Sequence, residues 1–280
     1  MGRIIQGAGV LLLLFFLAVF LQAGCGVVPP PPRPVRIRVL SYNIRHGLGM
    51  EGGMDLDGQA RVIRRAAPDL VALQEVDEGT RRSLGIREAG LLGRKTGLHG
   101  VFGKAMDFDG GGYGEGILSR FPLLRVIRHP LPAAKGYEPR ALLEVRVRPA
   151  GSGPGIVFFG THLDHLSQAQ RVAQAKEINR VAAALGDRPM ILAGDLNARP
   201  GGRAMKEFFK LWTPADRRRR PTFPADKPGR KIDWILFRPA RRWRVLEFKV
   251  LDEPEASDHR PLLAVLELLP PDGSRSGGKD

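Results

Sequence analysis

The chain has 280 residues, 43% hydrophobic and 26% charged, which excludes a disordered or polytopic membrane protein and leaves room for one large catalytic domain. Its 44 Lys and Arg against 29 Asp and Glu give a formal charge of +15, a surface that draws polyanions unless the excess serves only solubility. The single cysteine, Cys25, excludes an intramolecular disulfide and a multi-cysteine metal site.

At the N-terminus Arg3 precedes "VLLLLFFLAVFLQAGC", whose apolar part runs from Val10 to Leu21. A basic start, a short apolar centre and small residues before a cut are the layout of a secretory signal. The centre is short for a membrane span, which needs about 20 residues. "LQAGC" is similar to a bacterial lipobox, although Gln22 stands where that pattern has an aliphatic residue. Residues 1–25 are therefore read as a lipoprotein signal, a cleaved secretory signal or an uncleaved anchor, in that order, and each places the domain outside the cytoplasm. Residues 26–34, "GVVPPPPRP", form a stiff proline-rich tether, and residues 270–280 a polar, disordered tail.

Between them, residues 35–269 alternate strand-like and helix-like segments. "VRIRVLSYNI" suits a strand entering a buried sheet, and Leu56 to Ala67 has helical spacing that stops at Pro68. "LVALQEV" is a short apolar run ending in polar residues. "GILSRFPLLRVIRHPL" and "RALLEVRVRP" read as paired strands, followed by the apolar "GIVFFGTHLD". "SQAQRVAQAKEINRVAAAL" is a helix opened by Ser167 and closed by Gly186; "PMILAGDLN", "KIDWILF" and "PLLAVLEL" are the last strands. Many strands with interspersed helices imply an α/β fold of four layers, two mixed sheets packed together and flanked by helices.

One feature recurs. Buried-looking strands end in polar groups: Asn43, Glu75, His162, Asp195 with Asn197, and Asp233 in "KIDWIL". Any one of these could be a satisfied turn residue, but burying a row of such groups costs several kcal/mol each unless they are paired or metal-bound. Asp195 and Asn197 lie two apart on an extended segment, so they share a face and could deprotonate and aim a water. In "SDHRPLL", Asp258 and His259 are neighbours poorly placed to pair with each other, so each calls for a partner elsewhere in the chain.

Together "SYNIRHG", "PDLVALQEVD", "GGYGEGILSRFP", "EPRALLEV", "THLDH", "AGDLNARP", "RKIDWIL" and "SDHRPL" run from Ser41 to Leu262. In this order they resemble the endonuclease/exonuclease/phosphatase superfamily, which includes pancreatic-type deoxyribonucleases, abasic-site endonucleases, inositol-polyphosphate phosphatases and neutral sphingomyelinases. The spelling is most similar to small bacterial members. One departure is Arg45, where abasic-site endonucleases carry a metal-proximal acid; this argues against abasic-site repair.

The resemblance implies a divalent-metal phosphoester hydrolase. Glu75 is then the principal ligand of Mg²⁺ or Mn²⁺, with Asn43 and Asp258 holding the metal directly or through its water. Asp195 takes a proton from the attacking water and Asn197 orients it or a phosphate oxygen. His162 and His259 donate to the phosphate, with Asp233 orienting His259; whether His259 stabilises charge or acts as a base stays open. Tyr113 and Arg140 are candidate phosphate contacts, set against loop packing and a structural ion pair. His46 and His165 lie near the site by sequence neighbourhood. "RRRR" at 217–220 reads as a solvated loop or a polyanion contact, and Trp212, Trp234 and Trp243 as packing. The expected substrate is a phosphodiester, nucleic acid included, with a lipid phosphodiester or a phosphomonoester as the alternative. An eroded, non-catalytic binding module is a third reading, but none of the acids and histidines is missing. No protein partner is implied, and a monomer is expected.

Overall fold

The computed structural model describes Gly2 and residues 34–270 apart from Gly151 and Pro154, so the segments read as signal, tether and tail lie almost entirely outside the described residues. Among the described residues twelve strands and four α-helices follow one another: β1 (Val35–Asn43), α1 (Leu56–Ala66), β2 (Leu70–Glu78), α2 (Glu88–Thr96), β3 (His99–Phe108), β4 (Gly111–Ser119), β5 (Arg125–Pro130), β6 (Ala141–Val147), β7 (Ile156–His162), α3 (Gln168–Ala184), β8 (Met190–Asp195), α4 (Arg203–Phe208), β9 (Thr213–Pro214), β10 (Asp233–Arg238), β11 (Trp243–Val250) and β12 (Leu262–Leu268).

They form two six-stranded mixed sheets, β11-β12-β1-β2-β4-β3 and β5-β6-β7-β8-β10-β9. Alternation along each strand sends one row of side chains between the sheets, where Ile37, Val39, Leu70, Ala72 and Ile117 meet Leu143, Val145, Phe158, Ile191 and Ile235. The opposite rows are covered by helices. Ala60 and Ile63 of α1 with Leu92 of α2 pack on the first sheet, and Ile178 and Ala182 of α3 with Met205 of α4 pack on the second. The four-layered sandwich expected from the sequence is therefore the observed fold. Among the described residues no helix is long and apolar enough to cross a membrane.

Local signals explain the helix ends. Asp55 accepts from Gly58 N at 2.8 Å, and Ser167 Oγ accepts from Gln170 N at 3.4 Å, the N-caps of α1 and α3. Ala67, at φ 45°, stops α1 before Pro68, and Gly186, at φ 65°, follows α3. One expectation is corrected. "GILSRFPLLRVIRHPL" is not one partner of β6: its first part belongs to β4 in the first sheet, and only β5 pairs with β6. The chain changes sheet at Phe121–Pro122, where proline cannot donate to a ladder.

Because Phe158 is fully buried between the sheets, replacing it with alanine should cost about 3–5 kcal/mol of stability. Urea unfolding of the two proteins checks this; equal midpoints would show that the inter-sheet layer does not carry the fold.

Candidate functional site

Strands β1 and β2 run parallel, so they deliver their C-terminal ends to the same edge, and Asn43 pairs with Gln74 beside Glu75. The pairing of β2 with β4 slips between Leu73 and Val76, and in that bulge Glu75 adopts φ 56°. A non-glycine residue held there stores about 1–3 kcal/mol of strain, which surrounding contacts must offset. Asn43 Nδ2 donates to Glu75 Oε1 at 2.9 Å, and Asn43 Oδ1 accepts from Arg45 N at 3.0 Å. His46 Nδ1 lies 3.8 Å from the other Glu75 oxygen. Burial works to raise the Glu75 carboxyl, yet His46, Asn43 and the charge of His259 hold it well below the ordinary carboxylate range.

The second sheet repeats the device. β7 and β8 are parallel, and His162 pairs with Asp195 at their shared end. A Cβ on Gly194 would lie 2.0 Å from Thr161 O, so these strands close up only with glycine before the aspartate. Just beyond, Asn197 N donates to Asp195 Oδ1 at 2.8 Å and Asn197 sits at φ 45°, a turn that asparagine tolerates.

Arg140, 3% exposed, pairs with Glu138 at 3.0 Å and meets His162 Nδ1 at 3.0 Å and His165 Nδ1 at 3.3 Å. A guanidinium only donates, so His162 Nδ1 accepts and its neutral ring carries the proton on Nε2. Burial first, and then the Arg140 charge, push the His162 imidazole well below its ordinary pKa. Its Nε2–H faces Asp195 Oδ2 at 3.5 Å. Asn197 Nδ2 lies 3.0 Å from the same Nε2 and donates to Leu163 O, also at 3.0 Å. Arg140 thus acts on His162 as well as lining the site.

Asp233 corrects a detail of the sequence reading. It begins β10 rather than ending a strand, but β10 is antiparallel to β8, so Asp233 pairs with Asp195 at the same edge. His259 stands between the two carboxylates. Its Nδ1 is 3.1 Å from Asp233 Oδ2, and its Nε2 is 3.8 Å from Asp195 Oδ2. Thr222 Oγ1 donates to Asp233 Oδ2 at 2.5 Å, and Phe223 lies against the imidazole with ring centroids 4.6 Å apart. Burial disfavours charge on His259, but Asp233 above all, then Asp195 and Asp258, raise it to about 10. Burial and the Asp233 charge push Asp195 up to about 7.

Glu75, His162, Asp195, Asn197, Asp258 and His259 line one cleft of about 460 Å³, and Tyr113 and Arg140 form part of its wall. Asn43 and Asp233, 0% and 2% exposed, hold Glu75 and the His259 imidazole from behind. Asp258 lies 3.9 Å from Arg45, the position that departs from abasic-site endonucleases. His46 and His165 reach the site, while Trp212, Trp234 and Trp243 are buried and donate to Asn179, Ala198 and Arg238. Sequence reasoning missed Thr222, Phe223, Glu138 and Arg230. They come from loops whose position depends on tertiary packing; Glu138 opens "EPRALLEV" and Arg230 opens "RKIDWIL", but nothing local gave either a role.

Among the described residues, Asp195, Asp233 and His259 form a group of three acid and imidazole side chains whose ligand atoms all lie within 4.8 Å of one another. There an imidazolium already balances the carboxylates. The oxygen-rich side of the cleft is different: the Glu75 and Asp258 side chains are 24% and 28% exposed, and His46 and Arg45 stand 3.8 and 3.9 Å from them. Burial raises Asp258, His259 opposes this, and the Glu75 charge raises it further. Two carboxylates with the spare lone pair of Asn43 Oδ1 suit a hard divalent cation that keeps several waters. The residues fit such an ion.

The model of the Endonuclease/Exonuclease/phosphatase family matches residues 40–259. A curated relative, the Escherichia coli K12 protein YbhP, itself described as uncharacterized, is 25% identical over 272 residues, covering 86% of this chain and all of that one. The solved endonuclease/exonuclease/phosphatase from Beutenbergia cavernae is similar at a TM-score of 0.72 and 25% identity, over 83% of this chain and 72% of that one. The Bacteroides thetaiotaomicron mannosyl-6-phosphatase Bt3783 has the same fold, at a TM-score of 0.67 and 20% identity over 82% of this chain and 99% of that one.

Replacing Asp233 with asparagine removes the charge that most raises the imidazole, so the His259 ring should titrate well below its native value of about 10. Proton NMR of the histidine ring signals during a metal-free titration reads this directly. An unmoved midpoint would mean that Asp233 does not set the charge on His259.

Proposed function

This chain belongs to the endonuclease/exonuclease/phosphatase family, and from that premise we propose that it hydrolyses phosphate esters with Mg²⁺ or Mn²⁺, acting on phosphodiesters of the nucleic-acid type. The observation that carries this reading is the meeting of a metal-suited oxygen face, Glu75 with Asp258, and a proton-handling face, Asp195 with His162 and His259, in one cleft. Family members generally use a divalent metal, and the +15 charge favours a polyanionic substrate.

Glu75, Asp258 and Asn43 would hold the ion, which when bound supplies positive charge to the phosphoryl oxygens and the leaving oxygen. The remaining steps fall to the chain's own groups. Asp195, raised to about 7 by burial and Asp233, is a carboxylate basic enough to accept a proton from the attacking water near neutral pH. Asn197 positions that water through the amide oxygen left free by its Nδ2 bond to Leu163. His162 offers its Nε2–H as a neutral donor, and His259, held as an imidazolium by Asp233, donates to a non-bridging oxygen as negative charge gathers there. That protonated state favours charge stabilisation over general base for His259.

A phosphomonoester and a lipid phosphodiester are the competing substrates, the first because of the mannosyl-6-phosphatase among the similar structures, the second because of the proposed membrane tether. Plasmid DNA, RNA, a phospholipid panel, sugar phosphates and bis-p-nitrophenyl phosphate, each offered with Mg²⁺ and with chelator, separate the three. Cleavage of lipid or monoester alone would overturn the nucleic-acid reading.

Asp195→Ala and His259→Ala should each lower turnover by about two to four orders of magnitude with folding intact. Near-native activity in Asp195→Ala would remove the assignment of the base. Since the base must be unprotonated, kcat/KM should fall as pH drops below about 7, the value to which Asp195 is raised. A flat acid limb in a pH–rate profile would contradict this. We also propose that Cys25 is lipid-modified and tethers the domain outside the cytoplasm. Cys25→Ser should then release the protein from membranes, and unchanged retention would point to an uncleaved anchor.

A further inference from the structure

Next to the catalytic cleft lies a second cavity of about 280 Å³, and four arginines, Arg171, Arg199, Arg203 and Arg230, stand around it with His165. The two cavities share a wall: His165, Asn197, Arg230 and Ile232 line both. Other guanidinium groups on this protein do pair with carboxylates, among them Arg65 with Glu253 and Arg241 with Asp187. Among the described residues none of these four has a carboxylate within ion-pair distance.

Two of the four are held in place by contacts. Arg171 is half-buried, and its Nη1 donates to Asp164 O at 2.9 Å. Burial lowers its pKa against the opposing attraction of Asp164 and Asp195. Arg230 stacks over the Phe223 ring at 4.4 Å, and Phe223 in turn lies on His259, so the arginine is tied to the catalytic imidazole through one aromatic side chain. The acid nearest in sequence to His165, Asp164, is buried and turned inward, with its Oδ1 accepting from Leu166 N and Ser167 N. Four guanidinium forks around one hollow, two of them held by contacts, suit a group with several acceptor oxygens and more than one charge.

Resting on the hydrolase reading above, we infer that this cavity is a binding site for a second phosphate of the substrate, one ester unit away from the phosphate that is attacked. A sugar or short alcohol would cross the shared wall, while the distal phosphate settles among the arginines. Two sources offer that chemistry: the neighbouring phosphate of a nucleic-acid strand, and the other phosphate of a small bisphosphate.

Calorimetric binding with the metal chelated, so that nothing turns over, tests this. The probes are a thymidine dinucleotide with and without a terminal phosphate at either end, and propanediol monophosphate against propanediol bisphosphate. In the wild-type protein the added phosphate should tighten binding by about tenfold, the size of one charge-assisted contact, and in the R199Q/R203Q protein that gain should fall below about twofold. Arg199 and Arg203 are both exposed, so the double variant is expected to fold, and circular dichroism confirms it. A gain confined to the dinucleotides identifies a strand, and one confined to the bisphosphate identifies a small metabolite; either supports the site. No gain with any probe, or a gain that survives in R199Q/R203Q, overturns it. Turnover of bis-p-nitrophenyl phosphate by the wild-type protein with Mg²⁺ is a separate measurement, and its absence would sink the hydrolase reading whatever the binding contrast shows.

Discussion

Two buried aspartates on neighbouring strands repel one another, and the positive charge of His259 between them makes the arrangement tenable. Asp195 and Asp233 are paired in register across β8 and β10, so the backbone ladder leaves them no freedom to separate. The imidazole touches both, and each partner alters the other: the carboxylates hold the ring protonated, and the ring keeps Asp195 from rising beyond about 7. The same contact that makes the fold electrostatically acceptable sets a carboxylate of raised pKa and a cation side by side. Thr222 and Phe223 hold this group from the loop that precedes β10.

The rest of the site follows from strand direction. Each sheet contains one parallel pair, β1 with β2 and β7 with β8, and a parallel pair delivers two C-terminal ends to one edge. Glu75 and Asn43 come from the first pair, His162 and Asp195 from the second. Two departures from regular strand geometry finish the aiming, the bulge at Glu75 and the turn at Asn197, both with positive φ. Strain at these positions is tolerated because the strands behind them are fully buried, and it places an acid and an amide where a straight ladder would point them into the core.

Much of this was legible in the sequence because the chemistry-bearing residues end strongly apolar strands. "PMILAGDLN" and "GIVFFGTH" could be read as buried strands with polar tips, and the structure places them so. The edge strands β3 and β11 were not legible, since half-exposed strands such as "HGVFGKAMDF" carry no clean alternation. Nor was the change of sheet between β4 and β5, where two adjacent apolar runs look like one. The loop residues were hidden for a different reason. Thr222 and Arg230 acquire meaning only once β10 has turned antiparallel and set their loop over His259, a tertiary event with no local signature. Arg140 was noticed as a phosphate contact, but its hold on the His162 tautomer emerged only from the distance between them.

The central claim is that this cleft directs an activated water at phosphorus. Hydrolysis of bis-p-nitrophenyl phosphate in heavy-oxygen water, with the products read by mass spectrometry, tests it most directly. The account predicts that the label enters the phosphate monoester, that it does so only with a divalent metal present, and that the released nitrophenol carries none. Label in the nitrophenol, or incorporation that persists under chelation, would contradict it.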